Sequence, residues 1–253
     1  MNSRRSHLSP RVSPLVSPRV SPLVSPRVSP LAAAVAVAVA VALGTFAPRA
    51  EACGGGWWPE VNIDYRVEGI ARAEKQLANG RYLAAAGSVI RMIPHIHDYK
   101  KASKDPIVNR ALRVLAVATA RAGGDLGALA KEVPSELHAR YLPKTAEARH
   151  DRLAWAVSAL EMVRATKKNE PTLDSELGEA MAQLGGSEAK AKVLLEKLAQ
   201  EDLLTTPESY RSLARLRADA GDESGRVAAL ERCKTMAKDG AICVAPARGN
   251  GQS

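Results

Sequence analysis

Between residues 62 and 238, glycine and proline interrupt every long apolar-periodic run at intervals that suit paired helices, and this constrains the fold most strongly. Ile70, Ala73 and Leu77 recur at helical spacing and stop at Asn79-Gly80; Tyr82, Ala85, Val89 and Met92 then resume the pattern until Pro94. Leu112, Leu115, Ala116, Thr119 and Ala120 lead to Gly123-Gly124, with a short helical piece up to Pro134. Leu153, Ala156, Val157, Leu160 and Val163 give a further stripe, and the segment from Leu126 to Lys168 reads as a generic helical hairpin. Leu173, Leu177, Ala180, Met181 and Leu184 reach Gly185-Gly186, followed by Ala191, Leu194, Leu195 and Leu198. Tyr210, Leu213, Leu216 and Ala220 reach Gly221-Asp222, followed by Val227, Leu230, Cys233 and Met236. With aromatics at 4% and a single Phe, the core is built from Ala, Leu, Val and Ile, which lets helix axes approach closely.

The unit is helix, Gly turn, helix, then Pro. Pro171 to Pro207 spans 36 residues and so does Gly185 to Gly221, whereas Gly80 to Gly123 is 43 and Gly123 to Gly185 is 62. A two-helix repeat of this length cannot bury its apolar face alone and must stack on its neighbours. In Gly80, Tyr82, Ala85, Val89, Met92 and Pro94 the chain resembles the second-helix half of a tetratricopeptide repeat, and Ala73 and Ala214 sit where that family's first helix carries a small residue. The first-helix Trp of the family is absent, and Arg226 stands near a small-residue position. The expected fold is therefore all-α, a short irregular α-solenoid of helical hairpins over 62–238, with 239–253 as a C-terminal tail. The resemblance implies a scaffold whose first helices line a concave groove for a peptide, a partner protein or an envelope component.

The first 52 residues read as an export signal. Ser9 to Leu31 repeats Ser-Pro-Arg-Val-Ser-Pro-Leu-Val, with Pro at every fourth position, so a low-complexity basic region comes before the apolar Leu31 to Leu43. That apolar stretch is short of the ~20 residues a spanning helix needs. Ala50 and Ala52 supply the small residues of a cleavage site between Ala52 and Cys53. Residues 53–61 form a Gly/Trp-rich mature terminus in which Trp57 and Trp58 are expected to cap the open end of the first hairpin. Ala50 stands where lipid-modified bacterial proteins usually carry Leu, which favours an unlipidated terminus and leaves lipid anchoring at Cys53 as an alternative. The expected location is the periplasm or exterior of a Gram-negative-type bacterium, with membrane contact only through the signal or such a lipid.

The formal charge of +9 suggests nucleic-acid binding until the signal is set apart. Residues 1–52 hold six Arg and one acid, so 30 of the 36 basic and 26 of the 27 acidic side chains remain, a net +4. So mild an excess gives no phosphate-tracking stripe, and no nucleic-acid partner is expected. Export also changes the reading of the cysteines: Cys233 and Cys243, joined through Lys238, Asp239 and Gly240, are expected to form a disulfide that folds the tail back.

Catalytic signatures are lacking. His138 and His150 have no Ser or Cys at motif spacing, and Gly123-Gly124 and Gly185-Gly186 end helices, as caps do, without following strands as phosphate cradles do. His95, His97 and Asp98 are the one group with metal-ligand chemistry at short spacing; the competing reading is imidazoles meeting the last carbonyls of a helix. Neither catalytic residues nor cofactors are expected, the alternative being an envelope metal-binding protein or enzyme centred on His95 and His97. Arg211, Arg215 and Arg217 run along one first helix, so an acidic segment of an envelope protein is the expected partner, the alternative being an evenly solvated basic face.

Overall fold

In the computed structural model, residues 64–142, 145–167 and 169–244 are described, all within the compact unit Asn62–Ser253. The export signal, the cleavage pair Ala52 and Cys53, and Trp57 with Trp58 lie outside the described residues. Among the described residues the architecture is all-helical. Nine α-helices run α1 Tyr65–Ala78, α2 Tyr82–Met92, α3 Pro106–Arg121, α4 His138–Tyr141, α5 Ala146–Thr166, α6 Pro171–Gln183, α7 Glu188–Gln200, α8 Pro207–Asp219 and α9 Glu223–Met236.

Helix starts follow from side-chain capping. Asp64, Asp105, Thr145, Thr206 and Asp222 each accept a hydrogen bond from a backbone N–H in the first turn of α1, α3, α5, α8 and α9. Pro106, Pro171 and Pro207 occupy the first turns of α3, α6 and α8, where a missing N–H costs nothing. The ends close with 6→1 bonds: Arg81 N–H to Gln76 O at 2.9 Å, Gly124 N–H to Thr119 O at 2.9 Å and Asp222 N–H to Arg217 O at 2.9 Å.

Four hairpins result, α1–α2, α3–α5, α6–α7 and α8–α9. Each second helix packs on its own first helix and on the first helix of the next hairpin, while α1, α3, α6 and α8 touch in that order. This is a right reading of the hairpin pattern with one correction. Leu126 to Lys168 is not a separate hairpin: residues 126–142 form 3-10 turns and the single-turn α4, and α5 returns to pack on α3. That insertion produces the 62-residue interval, and the 3-10 turn and loop between α2 and α3 produce the 43-residue one. In the third turn, Gly185-Gly186, the left-handed residue is Gly186, at φ +82°.

The apolar interior forms two clusters. The larger joins the first two hairpins to Leu173, Leu177 and Ala180 of α6; the smaller joins Ala182 of α6 to Ala191, Leu195, Leu213, Ala214, Ala229 and Cys233. Helix α6 thus contributes to both, with Met181 and Leu194 packed against each. Every fully buried Leu here is worth about 1.5–3 kcal/mol. The chain beyond α9 belongs to the second cluster: a 3-10 turn, Gly240–Cys243, packs on α8 and α9, held by the expected Cys233–Cys243 disulfide with Cα atoms 5.8 Å apart. Among the described residues no helix is long and apolar enough to cross a membrane.

The turn after α3 tests this packing. Gly123 and Gly124 have φ of +61° and +76°, but a Cβ on Gly123 would meet nothing within 4 Å, whereas one on Gly124 would lie 2.6 Å from the Arg149 carbonyl oxygen of α5. Gly123→Ala is expected to cost about 1–2 kcal/mol for the left-handed backbone alone. Gly124→Ala should cost clearly more, because α5 must move; urea denaturation of both variants measures the difference.

Candidate functional site

The first helices share one face, and several of its polar side chains are paired across hairpins. Arg110 of α3 grips Glu74 of α1 through Nε at 2.9 Å and Nη2 at 2.6 Å. Arg113 of α3 holds Glu176 of α6 in the same two-point manner, both bonds 2.7 Å. Between α6 and α8 the link is neutral: Ser175 Oγ donates to Ser209 Oγ at 2.8 Å, both residues fully buried.

The deepest group centres on Arg121, the last residue of α3. Its Nε and Nη2 donate to the two Glu179 oxygens of α6 at 2.8 and 3.1 Å, and its Nη1 lies 3.2 Å from Glu208 Oε1 of α8. The Tyr82 hydroxyl, at the start of α2, donates to the same Glu208 oxygen at 2.7 Å, and the Arg121 guanidinium carbon lies 5.5 Å from the Tyr82 ring centre. The side chains of Arg121, Glu179 and Glu208 are 5%, 2% and 5% exposed, so one cation and two carboxylates share a nearly dry site. Burial pushes the Glu179 carboxyl above the ordinary carboxylate range, against the pull of Arg121. Burial works to lower the Arg121 value, but Glu179 and Glu208 overcome it and keep the guanidinium charged.

Three adjoining hollows meet at Arg121. One, of about 450 Å³, is lined by Glu74, Ala78, Arg113, Thr172, Glu176 and Thr206, among others. A second, of about 350 Å³, runs from Ala78 and Gly80 past Glu208 to Lys238 and Ile242. The third, of about 330 Å³, lies between Gly123, Gln183, Arg211, Ser212, Arg215 and Val244.

The residues singled out from sequence separate into three places. Arg211 and Arg215 come together in the third hollow, while Arg217 turns away, donating to Glu196 at 2.9 Å and to the Gly225 carbonyl at 2.9 Å. Among the described residues Arg211 has neither a carboxylate nor a hydrogen-bond partner. Arg215 Nη2 caps the Ala182 carbonyl at the end of α6. His95, largely exposed, has its Nδ1 3.8 Å from Asp98, but His97 does not join them: its ring stacks on Trp155 with centres 4.6 Å apart and meets Tyr141 edge-on. Burial, with Arg140 and Lys100 nearby, lowers the His97 pKa. Asp98 pairs with Arg140 at 2.7 Å. No group of three or more metal-ligating side chains is gathered among the described residues.

Sequence reasoning missed Arg121, Glu179 and Glu208, because acids on a helix read as solvated. One signal was present: the 36-residue offset places Glu179 and Arg215 at equivalent positions of α6 and α8, with opposite charges on one shared face. No family model matches the chain, and no curated protein or solved structure matches it either.

Replacing Arg121 with Met leaves Glu179 and Glu208 buried without a cation, so a loss of about 3–5 kcal/mol is expected at pH 7. With the cation gone, nothing offsets the burial of Glu179, whose carboxyl then holds its proton more tightly in the folded than in the unfolded state. Stability of the variant should therefore recover as pH falls toward 5. Chemical denaturation of both proteins at the two pH values checks the size and the sign.

Proposed function

We propose that this chain is an exported, non-catalytic interaction scaffold of the cell envelope, tetratricopeptide-like in organisation, which holds a segment of a partner protein along the face of its first helices. One observation carries the reading: α1, α3 and α6 present a continuous hollow of about 450 Å³ whose charged lining is already paired internally. Paired, positioned side chains offer a peptide fixed hydrogen-bonding edges without the cost of ordering them. The Cys233–Cys243 disulfide supports an oxidising compartment, because cytosolic thiols are kept reduced.

Ala78 tests the reading well, since it is exposed and borders both the first and second hollows. Ala78→Trp fills the groove without removing a core contact. The oxidised chain is expected to capture a defined partner from fractionated envelopes, and Ala78→Trp to capture it about ten-fold less well at unchanged melting temperature. Equal capture by both would remove the groove from the account.

A further inference from the structure

We propose that the third hollow, between the ends of α3 and α6 and the outer turn of α8, is a binding site for a small oxyanion, a phosphate or a carboxylate, held by Arg211, Arg215 and Ser212. The inference goes beyond the scaffold reading and stands on different residues from the groove that reading uses.

The first argument is charge. Among the described residues no carboxylate lines the hollow, and Arg121, which borders it, is already paired with Glu179 and Glu208. Arg211 and Arg215, four residues apart on one helix, therefore face the same space as two like charges without a counter-ion in contact. Asp219 and Glu188 act on Arg215 only through space, and Arg211 opposes it; burial and that repulsion outweigh the two acids and lower the Arg215 pKa. An oxyanion between the two guanidinium groups relieves both the repulsion and the burial.

The second argument is unmet hydrogen bonding. Ser212 is 2% exposed and lines the hollow, and among the described residues neither its Oγ nor the buried Arg215 Nε has a hydrogen-bond partner. Buried polar atoms left unpaired cost about 1–3 kcal/mol each, so two in one hollow mark a place where a ligand's oxygens are wanted. The Gln183 side chain borders the same space and adds an amide donor. Guanidinium forks suit the planar carboxylate and the tetrahedral phosphate alike, which is why the two sources share one chemistry.

The third is a wall held in place. Val244 forms part of the wall and follows directly on Cys243, so the disulfide to Cys233 fixes that wall against α8 and α9.

Isothermal titration of the oxidised chain at low salt tests the site with two probes, inorganic phosphate and a short polyglutamate peptide. At least one is expected to bind saturably with one-to-one stoichiometry, phosphate alone marking a free-ion site and the peptide marking a carboxylate-bearing ligand. Arg211→Gln, at a side chain without partners among the described residues, should weaken binding about ten-fold, and Ser212→Ala, which alters no charge, roughly five-fold. Melting curves of both variants confirm the fold. Absence of saturable binding by either probe, or binding untouched by Arg211→Gln, would overturn the site. If partner capture still depends on Ala78 in that case, the scaffold reading stands while the oxyanion site falls.

Discussion

A single buried guanidinium, that of Arg121, holds the four hairpins in one arrangement. It leaves the end of α3 in the second hairpin, takes Glu179 from the third and Glu208 from the fourth, and lies against Tyr82 from the first. In an extended solenoid each repeat touches only its neighbours. Here Tyr82 and Glu208, 126 residues apart, share a 2.7 Å hydrogen bond, so the first hairpin reaches the last. Desolvating three charges brings little net stability on its own, but a missing partner is expensive, and arrangements that separate the hairpins are disfavoured for that reason. The cluster thus sets curvature more than it adds stability.

The hollows follow from that curvature. With α1, α3, α6 and α8 drawn around Arg121, polar residues that would line a flat face become the walls of hollows that stay open to solvent on one side. Small residues make the approach feasible, since Ser175 and Ser209 meet at the α6–α8 contact where larger side chains would hold the helices apart. Fold alone assigns no role, and the functional argument rests on which charges are satisfied inside the protein and which are not. Glu74, Arg110, Arg113 and Glu176 are satisfied; Arg211 is not.

Much of the fold was legible in the chain because it is local. Apolar spacing from Ile70 to Met236, Pro in first turns and Gly after helix ends are each set by backbone geometry within a few residues. The Cys233–Cys243 bond was legible for the same reason, ten residues being enough for one turn. What escaped depends on distant partners. The α3–α5 pairing was hidden by the insertion at 126–142, which breaks the period, and the Arg121 cluster joins residues 58 and more apart that look like ordinary helix-surface charges. Arg211, Arg215 and Arg217 looked alike in sequence; only the packing of α7 and α9 shows that Arg217 is engaged by Glu196 while Arg211 is left free.

Native-state hydrogen exchange tests the central role of Arg121 most directly, by comparing buried amides at opposite ends of the stack, such as Ala73 of α1 and Leu213 of α8. If the cluster makes one cooperative unit, both open with the same free energy to within about 0.5 kcal/mol. Opening of α8 and α9 at a clearly lower free energy, with α1 still protected, would show an ordinary stack with a fraying end and contradict the account.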